Sequence, residues 1–74
     1  MASDKDKKLV ELGILIKNKR NKRGLTQAEL AYSIDKDQPS INRLEKGRIN
    51  PSYLYLLEIC EGLDIGIDEL FIST

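Results

Sequence analysis

The sequence predicts an all-α fold of five short helices in one compact domain, and three observations carry that expectation. Apolar residues recur at helical spacing, helix start and stop signals fall between the apolar runs, and the composition is that of a soluble helical chain. That composition is 41% hydrophobic and 32% charged, with two Pro and five Gly in 74 residues, unlike a disordered or collagenous chain. A chain of this length holds one domain and buries only about 60% of its unfolded surface, so the core is small and a partner subunit would help it.

Residues 1–8 are polar and charged without apolar periodicity and predict a mobile arm, which leaves residues 9–74 as the folded domain. Leu9, Leu12 and Ile16 share one face of a first helix that runs to Lys22, and the cations Lys17, Lys19, Arg20, Lys22 and Arg23 suit its C-terminal dipole. Gly24 provides a left-handed stop, and Thr26-Gln27-Ala28-Glu29 reads as a capping box opening a second helix that ends near Ser33 or Ile34. Asp37 is the expected N-cap of a third helix over residues 38–45, with Pro39 tolerated in its first turn. Gly47 ends that helix. Asn50-Pro51 predicts the start of a fourth, Gly62 its end near Glu61, and residues 67–71 a short fifth.

Charge and residue usage exclude several function classes. The chain has no histidine and a single cysteine, Cys60, so it can form neither an internal disulfide nor a Cys/His zinc site. It also lacks a general-base constellation, so neither catalysis nor a cofactor is expected. The N-terminal stretch lacks a signal-like apolar run, and no segment approaches the ~20 apolar residues of a membrane span. These features predict a cytoplasmic protein without a membrane partner, and no small-molecule pocket is evident. Net charge is zero, yet residues 1–50 hold all twelve Lys and Arg against seven acids, a net +5, while residues 51–74 hold five acids and no base, a net −5. One side of the molecule should therefore be basic.

The second and third helices are short and joined by a tight turn, and their small and apolar residues sit where a crossed pair needs them. Ala31 allows close approach, while Ile34, Ile41 and Leu44 fill the wedge. With positions 41 and 44 inward, Gln38, Pro39, Asn42, Arg43 and Lys46 point outward as a polar, basic face without acids, which suits a DNA groove.

From Leu12 to Phe71 the chain resembles the lambdoid phage repressor and Cro family of helix-turn-helix transcription regulators, also called the xenobiotic-response-element family. The likeness lies in Arg20, Gly24-Leu-Thr-Gln-Ala-Glu-Leu-Ala31, Ile41, Leu44-Glu45, Gly47 and Asn50-Pro51-Ser52. It implies a domain that binds double-stranded DNA with the helix near 38–45 in the major groove. Gln27 then becomes a phosphate contact, and Arg20 and Glu45 a semi-buried ion pair holding the recognition helix from behind. Gln38 can chelate adenine N6 and N7, and Arg43 guanine O6 and N7. Pro39, where relatives often carry a polar base contact, can meet a thymine methyl. Ser40, Asn42 and Lys46 suit phosphates, although Ser40 also suits the cap begun by Asp37. Asp35 replaces the family's usual turn glycine at a small cost.

Tyr53, Leu56, Ile59, Cys60, Leu63, Ile65 and Leu70 suffice to close the last two helices onto the core. Leu54, Tyr55, Leu57, Ile67, Phe71 and Ile72 are left over, and a set this large predicts a two-fold homodimer interface. A dimer would place two recognition helices about 34 Å apart on an inverted-repeat operator. The short length and the ending Asp68-Glu-Leu-Phe71 are similar to the controller proteins of restriction-modification systems. The alternative is a protein-interaction module such as an antitoxin or adaptor, for which no appended tail is long enough.

Overall fold

Nineteen residues, Asp4–Lys22, form the first helix, α1, in a computed structural model that describes residues 3–72. It starts five residues earlier than the apolar pattern implies. Ser3 is its N-cap: the Ser3 hydroxyl accepts from the Asp6 N–H at 3.1 Å, and the Asp6 carboxylate accepts from the Ser3 N–H at 3.2 Å. This reciprocal box, with Asp4 and Asp6 in the positive first turn, holds residues that have no core to pack on. The expected arm is therefore helix from Asp4 onward, and its first two positions lie outside the described residues.

Gly24 takes a positive φ of 70° as α1 ends, and Thr26 caps α2 (Gln27–Ser33) through the predicted box with Glu29. Asp37 caps α3 (Gln38–Glu45) by accepting from the Ser40 N–H at 2.9 Å. Between them Asp35 adopts φ 59°, the left-handed conformation that costs a non-glycine residue about 1 kcal/mol. Asp35→Gly is accordingly expected to raise the thermal unfolding midpoint by a few degrees in a calorimetric scan, and a fall would show that the Asp35 side chain stabilises the turn.

The fourth helix departs from expectation at both ends. Ser52, not Asn50, is the N-cap, its hydroxyl accepting from the Tyr55 N–H at 3.1 Å, so α4 spans Tyr53–Leu63 and Pro51 precedes it. Two cap signals overlap in Asn50-Pro51-Ser52, and the later one wins. Gly62 does not stop the helix, which continues to Leu63 and ends on Asp64 at φ 57°. A Cβ on Gly62 would come within 2.7 Å of Ile34 Cγ2 and 2.8 Å of Leu30 Cδ1, so the bare backbone is what allows α4 to close on α2. The last helix, α5 (Ile67–Leu70), is a single turn.

Five helices without a strand among the described residues give the predicted all-α class. The core is a cluster of Ile16, Leu30, Ala31, Ile41, Leu44, Ile59, Cys60, Leu63 and Leu70. α3 lies against both α1 and α2, while α4 and α5 close the opposite side. The third helix, α3, is thus backed by two elements and leaves its remaining face to solvent.

Candidate nucleic-acid interface

The foundation of this site is a buried pair. Arg20 on α1 and Glu45 at the end of α3 are each only 7% exposed. The Arg20 Nε donates to Glu45 Oε2 at 2.6 Å and its Nη2 to Oε1 at 2.9 Å, a two-point bond of the kind a planar guanidinium makes best. The Arg20 Nη1 donates to the Leu25 carbonyl at 2.6 Å, so one side chain ties α1, the α1–α2 link and α3 together. Hydrogen bonding to Glu45 outweighs desolvation and holds the guanidinium above its ordinary pKa.

Gln27 extends this foundation outward. Its Nε2 donates to Glu45 Oε1 at 3.0 Å, while its Oε1 accepts from Gln38 Nε2 at 2.6 Å and from Asn42 Nδ2 at 3.3 Å. A continuous chain of polar contacts therefore runs from the core to the head of α3. The family resemblance implies a phosphate ligand at Gln27, and one of its two amide hydrogens stays unused by these bonds. Sequence reasoning missed the inward half of its bonding, which depends on the packing distance between α2 and α3.

On α3 itself Gln38, Pro39, Arg43 and Lys46 are exposed, and Ser40 and Asn42 are half-buried. Ser40 takes the capping role considered for it, its N–H completing the Asp37 cap, and its hydroxyl accepts from Arg43 Nη2 at 3.3 Å. Bonding from Ser40, by its hydroxyl and its backbone N–H, draws the Asp37 carboxyl below its ordinary pKa, which keeps the cap ionised. No acid lies on the outward face between Gln38 and Lys46.

The apolar remainder divides differently from the sequence-based expectation. Leu54 (68%), Phe71 (55%) and Ile72 (50%) are well exposed, and Leu57 less so (36%). Tyr55 and Ile67, expected on the same surface, are half-buried and pack on the core, while Tyr53, expected in the core, is 66% exposed. Tyr55 leans toward the α2–α3 turn, where the Lys36 Nζ stands 5.4 Å above its ring. Its hydroxyl is buried without a partner among the described residues, and burial pushes the phenol pKa up.

Two crossed helices, a buried clamp and an acid-free outer face now stand together. A family model described as helix-turn-helix, HTH_3, matches residues 16–70. The chain belongs to the helix-turn-helix family of the Cro/C1 type. Among solved structures it is similar to the restriction-modification controller protein C.AhdI from Aeromonas hydrophila, with 32% identity and a TM-score of 0.88 over 93% of this chain and 100% of that one. It is also similar to the clp gene regulator ClgR from C. glutamicum, with 27% identity and a TM-score of 0.77 over 80% of this chain and 77% of that one. Comparison with curated proteins gives no match. This helix-turn-helix fold is that of DNA-binding transcription regulators. Among the described residues no helix is long and apolar enough to cross a membrane, and no three His, Cys, Asp or Glu gather where they could hold a metal ion.

Proposed function

We propose that this chain is a sequence-specific transcription regulator that binds an inverted-repeat operator as a homodimer, with α3 in the major groove, in the manner of a restriction-modification controller protein. The observation that carries the reading is the state of Gln38. One of its amide hydrogens is spent on Gln27, leaving the oxygen and a second hydrogen, the acceptor and donor that the N6 and N7 edge of adenine requires. Gln27 thereby holds the amide in one plane before DNA arrives.

Arg43 stands one turn further along the same exposed face and reads guanine; Pro39 lies between them against a thymine methyl. Gln27, Ser40, Asn42 and Lys46 border this strip and engage phosphates. The exposed group Leu54, Leu57, Phe71 and Ile72 supports pairing through α4 and α5, with Tyr55 and Ile67 supporting it from beneath. The likeness to C.AhdI over that protein's whole length favours the controller role over a phage-type repressor, and regulation rather than catalysis.

Selection from random duplexes with the purified protein tests this. The enriched sites are expected to be palindromic, and Gln38→Ala or Arg43→Ala to cost about 1–3 kcal/mol and relax one base position each. Lys46→Ala should weaken all sequences alike and lower the salt slope by about one. Enrichment of no common sequence would overturn the proposal.

A further inference from the structure

We infer that the two ends of the molecule answer salt in opposite directions: ionic strength loosens its hold on DNA but drives two copies together. The inference rests on the homodimer reading and deepens it. On α4, Glu61 lies four residues beyond Leu57 and seven beyond Leu54, so helical geometry puts it in line with those exposed leucines. The face offered to a second copy thus contains a carboxylate beside its apolar centre.

Its own protomer does not neutralise it. Three cations of the first half lean over the acidic half: Lys36 stands 3.9 Å from Glu58 and Arg23 3.8 Å from Asp64, while Lys19 donates to the Ile72 carbonyl at 2.6 Å. Glu69 accepts from the Gly66 N–H. Glu61 and Asp68 make no ion pair or side-chain hydrogen bond among the described residues, and residues 51–74 hold no base.

A two-fold interface sets this patch against its own image, so Glu61 approaches a copy of the same charge pattern. Apolar contact drives pairing and like charge opposes it. Salt screens only the second: the Debye length falls from about 30 Å at 0.01 M to about 10 Å at 0.1 M, a range too dilute for salting-out to matter. At the other end of the molecule each phosphate contact releases counterions, so DNA affinity falls over the same range. The gain in pairing then offsets part of the loss in DNA affinity, so operator occupancy declines less steeply with salt than the phosphate contacts alone would give.

Sedimentation equilibrium of the full chain in NaCl at about 0.01 M and 0.1 M tests this, with Glu61→Gln and Leu54→Asp beside it. The dimer Kd is expected to fall roughly threefold or more with added salt. Glu61→Gln should pair more tightly at the lower salt and respond less to the change. A dimer whose Kd is constant or rises with salt, or is indifferent to Glu61→Gln, overturns this inference and leaves the dimer standing. If the native chain stays monomeric at both concentrations, as Leu54→Asp is expected to, the dimer reading falls as well.

Discussion

Arg20→Ala or Glu45→Ala is expected to remove about 3–5 kcal/mol, because each leaves its partner's charge buried and unpaired. At about 0.05–0.15 kcal/mol per residue, a chain of 74 residues holds roughly 4–11 kcal/mol in total, so either change alone removes between about a quarter and all of the stability. The pair is not valuable in itself: desolvating both groups offsets much of their attraction, and replacing both by apolar residues of similar volume is often neutral or better. The double variant Arg20→Met with Glu45→Leu should therefore unfold at a higher urea concentration than either alanine variant. Equal midpoints in all three would mean that the two groups do not act as a buried unit. The double variant also separates stability from function. It deprives Gln27 of its Glu45 acceptor, so a folded protein with weakened, less selective DNA binding is the expected product.

How much of this was legible in the chain depends on the range over which each signal acts. The Thr26–Glu29 box, the Asp37 cap and the Gly24 stop are each decided within four residues, and all appear as predicted. The Ser3–Asp6 box is equally local, but no apolar face stands behind it, so hydrophobic periodicity does not reveal that turn of helix. Ser52 was masked by a competing Asn50-Pro51 signal two residues earlier. That shift of frame also bears on the two tyrosines: stepping back from Leu63, Ile59 and Leu56 leads to Tyr53, yet the flank that reaches the α2–α3 turn carries Tyr55.

The candidate site divides in the same way. Which residues of α3 point outward follows from the spacing of Ile41 and Leu44, and exposure agrees for Gln38, Pro39, Arg43 and Lys46, while Asn42 is half-buried. The ion pair was implied by family resemblance. The bonds from Gln27 to Gln38, Asn42 and Glu45 were legible from neither source, because they require three side chains on two helices to converge at one amide, and periodicity carries no information about that convergence.

Gly13 is where the same clamp is set, and Gly13→Ala is expected to destabilise by about 1–3 kcal/mol although helix propensity alone predicts a gain of about 1 kcal/mol. Gly13 is buried in the middle of α1. A Cβ there would overlap the Glu45 carbonyl oxygen and stand 2.7 Å from the carbonyl carbon and 2.8 Å from the Leu44 carbonyl oxygen. These are backbone atoms that cannot rotate aside, so α1 must move away from the end of α3. Arg20 lies seven residues further along the same buried face, and the displacement draws its guanidinium off Glu45. One added methyl thus acts twice, by overlap at the crossing and by lengthening two hydrogen bonds now at 2.6 and 2.9 Å. Gly24→Ala is the matched control: no atom lies within 4 Å of a Cβ there, so its cost is the positive φ alone, about 1 kcal/mol. Urea unfolding distinguishes the two, and operator binding distinguishes them further, since Gly24→Ala leaves the α1–α3 crossing intact and should retain affinity where Gly13→Ala loses it. A Gly13→Ala protein at least as stable as the native chain would mean that α1 and α3 are not in backbone contact, and the seating of the recognition helix would then have to come from α2 alone.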